Sequence, residues 1–200
     1  MRTPRFYWLF FIAATILPGC DNDSCDDREY QALNPVVANH IPYTQGQIVK
    51  FKTSAGETFT AIAERISEVN RPDAPLICQD YLYVTLKTSG KLFVEYVVRG
   101  SVAKDSTLQM SLYTLRTSTG GGMRIAIAEN GAMQSTFSNS TSVQHASIEI
   151  DGKAYEQVLD IDYPSNDIPA DTDLTRLFYN KTHGIIQYTT LNGVTTTRVD

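Results

Sequence analysis

Three histidines, His40, His145 and His183, are the residues of this 200-residue chain best able to move a proton or hold a metal near neutral pH. None stands in a paired spacing such as His-x-His or His-Glu-x-x-His, and His183 sits in a turn beside Gly184. Carboxylates are densest at Asp160, Asp162, Asp167, Asp171 and Asp173. Asp160 and Asp162 are two positions apart and would share one face of a strand, and the loop after them offers further oxygens for calcium. The Asp-x-Asp-x-Asn-Gly order of a calcium loop is missing, so a solvated edge is the simpler reading. No serine lies in a Gly-x-Ser-x-Gly elbow. Gly120-Gly121-Gly122 follows Thr117-Ser118-Thr119 without the lysine and helix of a phosphate loop, and reads as a hairpin tip. The expectation is a non-enzyme without metal or cofactor. One hydrolytic arrangement stays open, in which His145 converges with Asp160 or Asp162 in a cleft.

The three cysteines carry more. The chain opens with Arg2 and Arg5 and then runs from Phe6 to Leu17 without a charge. A bilayer core of about 30 Å needs about 20 apolar residues in a helix, so this shorter run reads as an export signal rather than a permanent span. It closes with Leu17-Pro18-Gly19-Cys20. These residues resemble the lipobox of bacterial lipoproteins, with Leu17, Gly19 and Cys20 on the pattern and Pro18 off it. The resemblance implies removal of residues 1–19, acylation of Cys20, and attachment to a cell-envelope membrane. One acyl chain anchors only marginally, at about 0.8 kcal/mol per buried methylene, whereas several on one residue hold a domain durably. Cys20 is then a tether and not a catalyst.

An exported chain meets an oxidising compartment, where the remaining Cys25 and Cys78 are expected to form a disulfide. Closing a loop of about 53 residues stabilises by on the order of 4 kcal/mol in the chain-entropy treatment. The alternative is a free linker thiol at Cys25 and a small buried residue at Cys78. Asp21, Asn22, Asp23, Ser24, Asp26 and Asp27 make residues 20–30 an acidic, solvated tether. This run is similar to the acidic stretch that accompanies surface export in Bacteroidota-type envelope lipoproteins. Asp21 directly after the cysteine resembles instead the inner-membrane retention signal of enterobacterial lipoproteins. The compartment expected is the cell envelope, with the outer membrane favoured and the leaflet open.

Stepping past the signal leaves residues 31–200 as a single β-rich domain. Without Arg2 and Arg5 the 17 basic residues fall to 15, against 22 acidic ones, and no Lys/Arg run is present, which argues against nucleic acid. From Gln47 onward apolar and polar residues alternate between turn pairs. Tyr81-Leu82-Tyr83-Val84-Thr85-Leu86-Lys87 runs to Ser89-Gly90, and Lys91 to Val98 returns. Ala55-Gly56, Asn130-Gly131, Asp151-Gly152, His183-Gly184 and Asn192-Gly193 repeat that grammar, since Gly or Asn-Gly suits the positive φ of tight turns. Residues 58–69 fit both periods. Phe59, Ile62, Ala63, Ile66 and Val69 have helical spacing, while the preceding turn favours a strand returning from 47–52. Residues 70–75 and 164–171 read as loops. The predicted class is all-β, an antiparallel meander forming a curved sheet or partly open barrel. The Cys…Trp…Cys spacing of an immunoglobulin sandwich is absent, and the only tryptophan, Trp8, lies in the signal.

The closing segment, with Tyr179, Asn180, Lys181, Gly184, Ile185, Ile186, Asn192 and Gly193, is similar to the C-terminal hairpin of many Bacteroidota lipoproteins of unassigned function. That resemblance implies a fold and a compartment, not an activity. Asp105-Ser106-Thr107 resembles the short O-glycosylation motif of envelope proteins in the same group. On the hairpin 81–98, alternation puts Leu82, Val84 and Leu86 on one face and Tyr81 and Tyr83 on the other. Tyr113 and Tyr188 could join the tyrosines in a ligand surface, or all four could cover a core. The functional expectation is a lipid-anchored, non-catalytic binding or carrier module for an apolar or amphipathic ligand, with an apolar cavity of several hundred Å³. The alternative is a structural or interaction lipoprotein that tethers a protein or glycan partner, with a filled core.

Overall fold

The computed structural model describes residues 29–70, 77–89, 91–99, 107–112, 121–128, 130–136, 140–163 and 174–200. Cys20, Cys25, Asp105, Ser106, Tyr113, Asp167, Asp171 and Asp173 lie outside them. The described elements are β1 (Glu29–Gln31), α1 (Pro35–Ala38), β2 (Ile48–Thr53), β3 (Thr58–Asn70), β4 (Ile77–Thr88), β5 (Lys91–Arg99), β6 (Thr107–Leu112), β7 (Gly121–Ile127), β8 (Met133–Ser135), β9 (Thr141–Ile150), β10 (Lys153–Asp162), β11 (Leu174–Asn180), β12 (Gly184–Thr190) and β13 (Thr195–Arg198). The ambiguous stretch 58–69 is strand throughout. Ala61 and Ala63 face the core, while Ile62 and Ile66 point outward, so the period of two prevails over helical spacing.

From β2 to β8 and from β9 to β13 each strand pairs antiparallel with its chain neighbour, and β13 pairs back onto β2. The meander therefore curls into a partly open barrel whose first and last long strands are hydrogen-bonded. Its seam falls mid-chain, between β8 and β9. Side chains bridge that seam in place of a ladder: Met133 N–H donates to Gln144 Oε1 at 3.2 Å and Ser135 N–H to Ser142 Oγ at 3.2 Å. The Ser135 and Ser140 hydroxyls lie 2.8 Å apart. Bonding edge amides to side chains is one way to quiet strand edges that would otherwise pair with other chains.

Alternation aims Val49, Phe51, Leu82, Val84, Leu86, Leu108, Ile125, Ile127, Leu159, Ile161 and Leu177 into one continuous apolar cluster. The segment between β1 and β2 crosses this interior. Asn34 caps α1, its side chain accepting from Val36 N–H at 3.0 Å with Pro35 at the first helical position. Val37, Ile41 and Tyr43 are then buried in the same cluster. Arg65 of β3 donates to the Ile41 and Tyr43 carbonyls at 3.4 and 3.1 Å. Far around the sheet, Ile185 N–H of β12 donates to Tyr43 Oη at 3.0 Å, and the Tyr179 hydroxyl of β11 donates to the His40 carbonyl. The segment acts as a plug fastened at both sides.

Glu29 and Tyr30, placed in the tether by the sequence reading, form with Gln31 a strand parallel to Ile77–Gln79 of β4. The pairing of β4 with β5 stops at Tyr81 and Arg99, which leaves that edge of β4 free for β1. The β9–β10 hairpin turns on Asp151 and Gly152, both at positive φ (49° and 77°). Gln157 is also left-handed, at φ 52°, and this irregularity resets the alternation so that Tyr155 and Val158 share the outer face. With Ile150 they pack on Phe178 and Ile186 as a second, smaller core.

Gly184 combines a positive φ of 74° with the Tyr43 ring lying where a side chain would begin. Gly193 has a similar φ of 78° and open space around it. Gly193→Ala should cost about 1 kcal/mol, the backbone penalty alone. Gly184→Ala should cost at least about 2–3 kcal/mol, because the plug is also unseated. Urea melts of the two variants read the difference.

Candidate functional site

His145 and Asp160 do converge. Residues of β9 and β10 paired across the ladder share a face, and Val158 with His145, then Asp160 with Val143, put both groups outside the barrel. Asp160 is only 8% exposed, and His145 Nε2 lies 3.2 Å from its Oδ2. Arg176 of β11 takes the same carboxylate in a two-pronged grip at 2.9 and 2.8 Å, its guanidinium 4.6 Å from the centre of the Phe178 ring. Burial pulls the Asp160 carboxyl upward, but the hydrogen bonds from Arg176 and His145 outweigh it and hold the group below its ordinary 3.8. Both carboxylate oxygens are occupied, and no described hydroxyl or thiol bonds His145. The geometry is that of an ionic staple across three strands. Asp162 shares the face, exposed, and among the described residues no group of three His, Cys, Asp or Glu side chains is placed to hold a metal.

The other two histidines are more enclosed. His40 Nδ1 donates to the Val36 carbonyl at 2.7 Å, leaving the buried Nε2 as an acceptor without a partner. The ring lines an open groove of about 500 Å³ with Val36, Asn39, Asn130, Lys181 and Thr182. His183, in the turn before β12, meets the Tyr155 ring edge-on at 5.2 Å, and its carbonyl accepts from Arg198. Its Nδ1 is buried without a partner. Burial first, then Arg198 and Lys153, push the imidazole below its usual 6.5, with Asp200 opposing. A second groove of about 530 Å³ runs between the β2–β3 turn and the β9–β10 tip, lined by Lys52, Thr53, Asp151, Gln187, Thr195 and Thr197.

The tyrosines divide. Tyr81 and Tyr83 stand on the face of β4 opposite Leu82, Val84 and Leu86, as alternation predicts, but Tyr81 is buried at 8% exposure and only Tyr83 is partly accessible. Their rings stack in parallel, 5.7 Å apart with 3° between planes. Tyr188 does not join them. A register shift between Phe178 and Tyr179 leaves Ile186 and Gln187 both outward, so Tyr188 turns into the main core beside Leu177. Cys78 lies in β4, its backbone in register with Tyr30.

Sequence reasoning missed the outward isoleucines that extend the tyrosine face. Ile48 pairs with Ile62, and Ile66 with Tyr83, and the three isoleucines are 50–57% exposed. The signal was present in the alternation of β3, where Ile62 and Ile66 share the phase of Glu64 rather than that of Ala61 and Ala63. Between them Glu64 is paired with Lys87 at 2.6 Å.

No protein-family model, curated protein or solved structure matches this chain. Function is therefore argued from these surfaces.

The burial of His183, with Arg198 and Lys153 nearby, makes stability depend on pH. A histidine whose folded pKa is depressed binds its proton more readily in the unfolded chain. Its contribution is complete above about 6.5 and is lost as pH falls from there through the lower folded value. Chemical denaturation between pH 7.5 and 5 should show a decline that His183→Phe flattens, the difference staying below about 1.4 kcal/mol per pH unit, the limit for one proton.

Proposed function

We propose that the protein is a lipid-anchored cell-envelope module that binds a partner through its outer surface and carries out no chemistry of its own. The lipobox resemblance supplies the anchor, Cys20, and the outer membrane is the membrane it favours. The observation that carries the binding reading is the packed interior. Inward residues from β2, β3, β4, β6, β7, β8, β10, β11 and β12 touch one another and the plug in a single apolar cluster. A carrier of an apolar or amphipathic ligand asks for a cavity among such residues. Here the two grooves described above are open and mixed in lining, and isoleucines of β2 and β3 point outward.

The His145–Asp160 contact is the observation that favours a second reading, hydrolysis. A base needs an unsaturated orienting partner and a nucleophile in reach. The Arg176 grip on Asp160 supports a staple instead.

Two measurements test the proposal. Cys20→Ala should move the protein out of the membrane fraction, since no acyl chain can then be attached. Native mass spectrometry of the wild-type protein from its own host should give the acylated chain alone. A reproducible apolar adduct that leaves on denaturation would return the carrier reading.

A further inference from the structure

The anchor and the fold together constrain which side of the barrel meets the membrane. The described body begins at Glu29, nine residue steps from Cys20. At no more than about 3.6 Å per step, the tether holds β1 within roughly 30 Å of the acylated residue. A tether this short keeps the body near the membrane surface at an effective concentration of order millimolar, so a weak contact suffices to orient it.

The tether enters the sheet at one particular strand, β4. β1 joins the sheet where Tyr30 meets Cys78 of β4, and Tyr81 and Tyr83 follow three and five residues along that strand. At about 3.3 Å per residue these lie roughly 10 and 17 Å from the attachment point. Next to Tyr83 across the ladder stands Ile66, then Ile62 on the same strand and Ile48 beside it. A water-facing sheet seldom places three half-exposed isoleucines together beside a part-exposed tyrosine, Tyr83, which is backed by the buried Tyr81 ring stacked on it. The charges fit a lipid surface. Lys50 and Lys52 are the exposed outward residues that follow Ile48 on β2, and Glu64 is neutralised by Lys87. Glu57 lies out at the hairpin tip, and Glu68 takes the next alternate position of β3 after Ile66. Lys50, Lys52 and Lys87 stand against Glu57, Glu64 and Glu68, so this face is close to neutral in a chain that is acidic overall, with a net charge of −5. Isoleucines that enter the headgroup layer, a tyrosine at its level and lysines toward anionic lipid are the elements of an interfacial contact.

We propose that the outer face of β2–β3–β4, centred on Ile48, Ile62, Ile66 and Tyr83, is a membrane-docking surface that rests on the bilayer in which Cys20 is anchored. This rests on the reading of Cys20 as an acylated anchor.

The lone Trp8 lies in the signal, so an acylated and cleaved chain has no tryptophan and accepts one as a reporter. Full chains with Ile66→Trp or Val143→Trp would be produced in an acylating host and reconstituted in vesicles of phosphatidylethanolamine with phosphatidylglycerol. Val143 is equally exposed, at 55%, on β9, six strands away around the sheet. The expected result is a blue-shifted Ile66→Trp emission, quenched by lipids brominated on their acyl chains, with Val143→Trp unshifted and unquenched. Ile62→Trp replaces Ile66→Trp should that variant not fold. Equal, unquenched emission from both sites, on a chain whose N-terminal peptide carries acyl groups, overturns the docking surface alone. A face that takes a protein partner gives that same result with vesicles. Trp8 fluorescence in the wild-type chain, together with an unmodified Cys20, overturns the anchor reading, and the docking surface falls with it.

Discussion

An open sheet has two edges, and the protein's architecture follows from how it closes them. Pairing β13 with β2 removes the edges that the outer long strands would otherwise present, and moves the discontinuity to the β8–β9 junction. There the meeting strands are joined by glutamine and serine side chains. Everything else is arranged around this partly open wall, with apolar residues turned inward.

The plug fills part of the interior of this wall with few residues. Tyr43 serves as both an apolar body in the core and a hydrogen-bond acceptor for Ile185 N–H. Tyr179 does the converse, donating to the plug from a fully buried position. Burial keeps the Tyr179 hydroxyl protonated far above its usual range, with the neighbouring Tyr43 reinforcing this, so the donor is constant at any physiological pH. Arg65 donates to two plug carbonyls, those of Ile41 and Tyr43. The grooves beside the plug and beside the β9–β10 arm are by-products of laying extra segments on a barrel. Turns and strand ends line them, with polar and apolar groups mixed.

Much of the wall was legible in the sequence because its determinants are local. The alternation through Tyr81 and Leu86, the Ser54-to-Glu57 turn and the Asn-Gly and Asp-Gly pairs each specify a hairpin within about ten residues. The orientation of Tyr81 and Tyr83 followed from the same parity. Tyr188 was not legible, since an extra residue at Ile186–Gln187 of its own strand, visible only in the pairing with β11, inverted its face. The plug was hidden for a different reason. Its Asn34-Pro35 start is a readable helix signal, but its fastening joins Tyr43 to Ile185, 142 positions apart. The Arg176–Asp160–His145 staple depended on three strands finding one register, which composition does not reveal.

The β2–β13 ladder also sets the order in which the molecule can be completed. Lys52 and Phe51 meet Thr197 and Arg198, so the earliest long strand receives its second neighbour from the latest one. Hairpins β2–β3–β4 can form as they emerge from the ribosome, yet their barrel cannot shut until residues 195–198 have been made. The same wait applies to the plug, whose second fastening is on β11 and β12. A topology so rich in distant pairings folds slowly, on the scale of milliseconds to seconds. Throughout that interval Val49 and Phe51 lie on a strand with one bare edge, which makes the half-finished chain a natural client for chaperones that shield apolar strands.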